Sequence, residues 1–164
     1  MEPLSSVRKN HALEHATLNV LNEKLASRRL AGFSDAGGFW LIGDVPTDVL
    51  LENARQALKR LQAGEHKLAM HANCGTNIVV SGLLAGSLAW LGMVGAGKSF
   101  SKKVRRIPLV VLMVMLGYEL GKPLGPKLQQ KMIKTGEIQD LEVLDATCYQ
   151  YGTLIVHRVR TRSR

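Results

Sequence analysis

No charged residue occurs between positions 72 and 97. This constrains the fold more than any other feature of the chain, because a helix apolar on all sides must be sheathed by a large core or by lipid. Residues 77–96, rich in Leu, Val, Gly and Ala, match the roughly 20 residues that cross about 30 Å of hydrocarbon. Gly82 and Gly86 stand four apart, with Ser81, Ser87 and Gly92 near by, a set of small residues suited to close helix packing in a bilayer. A second apolar run, 107–118, is shorter. Taken alone it fits a core helix or a re-entrant segment equally well. Arg105, Arg106 and Lys122 lie at its ends and extend its reach by snorkelling. Two runs joined by a short loop predict a membrane hairpin that returns the chain to the side it left.

Net charge is +9, and its placement matters more than its size. Residues 1–75 carry nine Lys/Arg against eight Asp/Glu, and residues 76–164 carry thirteen against five. The excess flanks the apolar runs and fills the last seven residues, where anionic lipid headgroups are the expected partner. The sequence displays no aromatic-plus-basic recognition module, so nucleic acid is not expected. Two signals oppose each other on orientation. Five Lys/Arg in the loop 98–106 argue for a cytoplasmic loop. The opening MEPLSSVRKN has no apolar core and so no export signal; with the basic stretch after Lys122 it argues for cytoplasmic bodies. The expectation is a bacterial inner-membrane protein with its soluble body in the cytoplasm. Its two cysteines, Cys74 and Cys148, are too few for a disulfide framework and would stay reduced there.

On either side of the hairpin the patterning is that of a small soluble domain. Ser5 or Ser6 can cap a first helix running to about residue 26, with Ala12, Leu13, Ala16, Val20 and Leu21 at helical spacing. Apolar runs at 30–34 and 39–42 flank Asp35-Ala36-Gly37-Gly38 and predict a β-hairpin. Thr47 then caps a second helix whose buried stripe is Leu50, Leu51, Ala54, Ala57, Leu58 and Leu61, and Gly64 ends it. After Pro126 a basic amphipathic stretch with Lys127, Lys131 and Lys134 is expected along the membrane surface. Segments 140–148 and 153–159, joined through Gln150-Tyr151-Gly152, predict a final hairpin completing the sheet. The fold class is α+β: a body of two helices and two β-hairpins, interrupted by a transmembrane helical hairpin. Its parts are 1–75, 76–125 and 126–164.

The sharpest chemical signal is His11-Ala12-Leu13-Glu14-His15. Residues four apart share a helix face, so His11 and His15 can grip one metal ion. Glu14 falls about 60° from one and about 100° from the other, within reach of a water on that metal. This is the His-x-x-Glu-His order of inverted zinc peptidases, in which zinc acidifies water and the carboxylate accepts its proton. The competing reading is an ordinary helix with two surface histidines. A catalytic zinc needs three protein ligands and a structural zinc four. His71-Ala72-Asn73-Cys74 supplies Cys74 as the third, with His71 in reserve; alternatively Cys74 is a small apolar residue at the membrane entry. Glu119, near the end of the second apolar run, is a further reserve ligand, weighed against a plain i,i+3 pair with Lys122. Residues 92–99 match the phosphate-loop pattern letter for letter. That loop has to follow a buried strand and open a helix, whereas this one follows an apolar helix, so nucleotide binding is not expected. His157, in the basic tail, is expected at the surface.

The strings NHALEHAT, FSDAGGFWLIGDVPT and HANCGTN, followed by an apolar hairpin, resemble an uncharacterised bacterial membrane-protein family over nearly the whole chain. That resemblance implies no activity. More distantly, residues 5–75 resemble the core half-domain of pitrilysin and insulinase peptidases and also S-ribosylhomocysteine lyase. This second resemblance implies His11 and His15 as zinc ligands, Glu14 as base and Cys74 as the third ligand, like the lyase's cysteine. Two functions are therefore carried forward. One is a membrane-bound zinc hydrolase acting on peptides. The other is a non-enzymatic scaffold or assembly factor whose Gly-rich helix contacts a second copy, with a structural metal or none.

Overall fold

A computed structural model describes residues 3–25, 30–71, 74–132 and 135–163. The expected limit of the first helix at residue 26, the middle of the His71–Cys74 motif, Lys134 and Arg164 lie outside them. The elements form two compact units. One, the body, comes from both ends of the chain; the other is a helical hairpin from its middle.

In the body, α1 (Pro3–Lys24) is followed by β1 (Ala31–Asp35), β2 (Gly38–Ile42), α2 (Thr47–Gln62) and a 3-10 turn (His66–Ala69). From the far end come a second 3-10 turn (Thr135–Asp140), β3 (Leu141–Tyr151) and β4 (Leu154–Ser163). The strands make one antiparallel sheet in the order β1-β2-β4-β3, as the α+β reading requires. Alternation sorts its faces. Phe39 and Leu41 of β2 pair with Val159 and His157 of β4, and all four are buried. The opposite face carries Phe33 stacked on Trp40, with Tyr149 beside it and the Arg158 guanidinium over the indole. Gly38 has φ +143°, and a Cβ there would meet the Val159 carbonyl at 2.0 Å, so only glycine lets β2 lie against β4 at that point.

Helix α1 lies at the centre of the body. Ala12, Leu13, Ala16, Val20 and Leu21 are fully buried with Leu50, Ala54, Ala57 and Leu61 of α2, each leucine contributing roughly 1.5–3 kcal/mol. Its polar residues are buried and bonded. Lys9 Nζ donates to both Asp140 oxygens at 2.9 and 2.8 Å. Asn10 donates to the Asp35 carbonyl and accepts from Thr161. Asn19 donates to the Leu68 and Met70 carbonyls, which pins segment 66–70 across the helix. These bonds join the two ends of the chain into one body.

Several expectations are corrected. Ser5 and Ser6 lie inside helix α1, which is already helical at Pro3, the first described residue, so neither serine is its cap. Thr47 is not the cap of α2: Pro46 holds that position without a side-chain bond, while Thr47 Oγ1 lies 3.4 Å from His157 Nδ1. His157 is buried, not at the surface. Arg158 and Arg160 alternate outward along β4, which turns His157 and Val159 inward. In α2, Leu51 is only half-buried and Asn53 takes a place in the stripe, bonding the Val49 carbonyl one turn back. Gly64, at φ +99°, follows the C-cap Ala63 as expected.

The hairpin comprises α3 (Gly75–Met93), the short α4 (Phe100–Arg105) and α5 (Ile107–Met132). Two helices, Gly75–Met93 and Ile107–Gln130, are long and apolar enough to cross a membrane. Their apolar side chains mostly face outward: Ile78, Val79, Leu83, Trp90, Leu112 and Met115 are each more than half exposed, an apolar surface that calls for a lipid or protein partner. The second helix does not stop near Tyr118 and give way to a separate surface segment; it runs unbroken through Pro123 and Pro126. A seam of glycines accounts for this. Gly117, Gly121 and Gly125 lie against Ala85, Ser81 and Asn77 of α3, so closely that a Cβ on any of the three would fall within 2.9 Å of α3 backbone. Backbone contact along three turns offsets the bonds that the prolines remove. A Cβ at Gly82 or Gly86 would meet nothing within 4 Å, so that pair is not the internal packing face.

Candidate metal centre

The site is built from the middle of α1, where His15 and Glu14 are buried and His11 is half-buried. The His11 and His15 rings meet edge to face, centroids 4.2 Å apart, as i,i+4 spacing on a helix dictates. His15 Nδ1 lies 2.8 Å from the Ala69 carbonyl. A carbonyl can only accept, so Nδ1 carries a proton, which leaves Nε2 as the nitrogen that can ligate a metal. Metal-binding histidines are characteristically oriented by such a bond. Asn19, one turn on, holds the segment that supplies this carbonyl.

Cys74 is buried and immediately precedes α3, occupying its N-cap without a side-chain cap bond. Ligand atoms of His11, His15 and Cys74 all lie within 4.8 Å of one another. In a tetrahedral zinc site with bonds of 2.0–2.3 Å, ligand atoms stand about 3.5 Å apart. The 4.8 Å limit on the group is wider than that closed-site spacing. Two imidazoles and a thiolate are a donor set that suits zinc.

Glu14 is outside this group of donor atoms. Its Oε2 accepts a 2.5 Å hydrogen bond from Ser34 Oγ on β1, and Gly32 of the same strand lies against its carboxylate. The reserve ligands fare differently. The His71 ring is 5.9 Å from that of His15, tilted by 43°. Glu119 pairs with Lys122 on the exposed side of α5, which is the plain i,i+3 pair. Ser34 and Gly32 were not marked by sequence reasoning, because nothing local shows that β1 folds back along α1. Residues 92–99 form the end of α3 and the turn after it, where the Arg106 guanidinium donates to the Gly92 and Val94 carbonyls; the element that leads into them is a helix, not a strand.

Fold and site together define an α+β protein with an inserted apolar helical hairpin and a His/His/Cys group able to hold a metal. The chain belongs to the DUF6391 family, a domain of unknown function, whose model matches residues 6–146. It is similar to an uncharacterised protein of Picosynechococcus sp. (strain ATCC 27264 / PCC 7002 / PR-6), 42% identical over 105 residues, covering 56% of this chain. The match spans about half of that relative, 51% of its length. No solved structure matches the chain.

Proposed function

We propose that this protein is a membrane-anchored, zinc-dependent hydrolase of peptides, with α3 and α5 spanning the bilayer. The observation that carries the reading is the clustering of the His11, His15 and Cys74 donor atoms within 4.8 Å, beside a buried glutamate that is not one of them. Zinc held there would polarise a carbonyl and acidify water. Glu14 would accept the proton that water loses as its oxygen attacks the carbonyl carbon, and would then pass that proton to the departing amine. His15, oriented by the Ala69 carbonyl, and Cys74, at the N-cap of the apolar α3, would anchor the ion at the membrane surface.

A second reading is favoured by the nearness of His71, which could complete four protein ligands and make the metal structural in a non-enzymatic scaffold. Coordination number separates the two readings. The test is elemental analysis of detergent-purified protein beside His11→Ala and Cys74→Ala. About one zinc per chain, lost in both variants, is expected. A wild-type chain purified without chelators and free of metal would overturn the proposal. With zinc present, Glu14→Gln should keep the metal and abolish peptide hydrolysis; retained hydrolysis would reject Glu14 as the base.

A further inference from the structure

We infer that β1 provides a seat for Glu14, in which Ser34 is a positioning residue holding the carboxylate off the metal and Gly32 makes the room. The inference rests on the hydrolase reading and adds a device that controls the same site. Residues 32 and 34 alternate to the same side of the strand, and both meet the end of one side chain. Ser34 Oγ donates to Glu14 Oε2 at 2.5 Å. At Gly32, a Cβ would stand 2.7 Å from Glu14 Oε1 and 3.0 Å from both Cδ and Cγ, so any side chain there would displace the carboxylate. Glu14 is 3% exposed, and a buried carboxylate is costly unless bonded. Satisfying it required a donor, but not a glycine two residues before that donor. The pair together fixes direction as well as hydrogen bonding.

The reason for such a seat lies in the spacing of the motif. Glu14 lies one residue from His15 on the same helix turn, and a carboxylate released there is a ready fourth ligand for a metal held by His11, His15 and Cys74. Ligation by Glu14 would close the open position that a catalytic zinc keeps and remove the base at the same time. Ser34 engages one oxygen and Gly32 admits the other against the strand backbone, so the carboxylate stays in the second layer of the site. Supporting partners of this kind change activity or metal affinity by about 10- to 100-fold when removed.

The experiment uses cobalt as the probe. Full-length protein in detergent is stripped, loaded with Co2+ and its visible spectrum recorded, for wild type, Ser34→Ala, Ser34→Thr and Gly32→Ala. Wild type and Ser34→Thr, which keeps the hydroxyl, should give the same bands. Ser34→Ala and Gly32→Ala should both shift them as a carboxylate joins the metal, and adding Glu14→Gln to either should restore the wild-type bands. Hydrolysis of a fluorogenic peptide library should fall about 10- to 100-fold in Ser34→Ala, in kcat more than in KM. Gly32→Ala guards against misfolding of the serine variant, since it displaces the carboxylate with the hydroxyl intact. Cobalt bound by all four with one unchanged spectrum would overturn this inference and leave the hydrolase reading standing. No cobalt bound by the wild type would overturn both, leaving Ser34 and Glu14 as a purely structural pair.

Discussion

Replacing Gly121 by alanine adds one methyl group at the tightest point of the α3–α5 seam. That methyl would stand 2.5 Å from Ser81 Cα and 2.7 Å from Ser81 Oγ, against the 3.5–4.0 Å that carbon atoms prefer. Part of the obstruction is backbone, so no rotamer change relieves it and the helices must part by about 1 Å. Overpacking of this kind costs about 1–3 kcal/mol. Alanine also raises helix propensity over glycine by up to about 1 kcal/mol, which masks some of the clash. The matched control is Gly86→Ala on α3, where the added Cβ meets nothing within 4 Å and only the propensity term acts. The difference between the two variants isolates the clash, and Gly86→Ala should be the more stable by about 1–3 kcal/mol. An SDS titration of the full chain in detergent, read by pulse proteolysis, measures it. Equal midpoints would refute the glycine seam as the element that holds the hairpin together.

Three other perturbations test separate parts of the structure. Burial pushes the His157 pKa below its usual 6.5, against the Gly43 backbone and the Asp44 charge, which raise it. The unfolded chain then binds this proton at a higher pH than the folded one, so stability is complete above pH 6.5 and declines as pH falls beneath it; His157→Gln should flatten that decline, and an unchanged slope would assign it to another group. Burial raises the Asp35 pKa, but hydrogen bonds from Arg158, the Gly37 amide and the Trp40 indole outweigh it and hold the carboxyl below 3.8. Its contribution is therefore present above pH 3.8 and lost as pH falls further, and because Asp35 is 45% exposed, Asp35→Asn should cost only about 0.5–1 kcal/mol, read as a small drop in thermal midpoint; a loss several times larger would show that the Asp35–Arg158 pair organises the outer sheet face. Finally, zinc at 100 times its dissociation constant should stabilise the body by about 2.7 kcal/mol, and a melting curve indifferent to zinc and to EDTA would contradict a metal site formed on folding.

The parts of this fold that follow from local patterning could be read in the sequence. The helix with His-x-x-Glu-His, the four strands, the amphipathic α2 and the first apolar helix each announce themselves within a dozen or so residues. The parts decided by partners distant in sequence could not. His157 sits among arginines, a pattern that predicts the surface; its inward direction depends on pairing with Leu41 and Cys148. Thr47 has the right type for a cap, but its hydroxyl goes to that same histidine. The small residues of α3 predict close helix packing; within the hairpin Ser81 takes part in it and Gly82 and Gly86 do not, and the glycines that make the contact are Gly117, Gly121 and Gly125. Their period of four lies in the sequence, but the apolar run that predicts the second helix ends at Tyr118, before Glu119, and only Gly117 falls inside it. Ser34 and Gly32 became visible only once β1 lay beside α1. At the site itself, the spacing of His11, Glu14 and His15 could be read from helix geometry alone. The approach of Cys74 could not, because it depends on how the chain turns after α2.

The body's division between the two ends of the chain also sets a timetable. Strand β2 ends at Ile42, and the neighbour that covers its second edge, β4, begins at Leu154. At about 5–20 residues per second of synthesis, β2 waits roughly 5 to 20 s, with its free edge and the Phe39 and Leu41 side chains lacking their partner strand, while the hairpin is made. An unpaired strand edge invites pairing with other chains. The interval in which the ribosome is delivering the apolar helices is thus the interval in which the nascent body is most open to aggregation, and a truncated message ending before β4 would leave that state permanent.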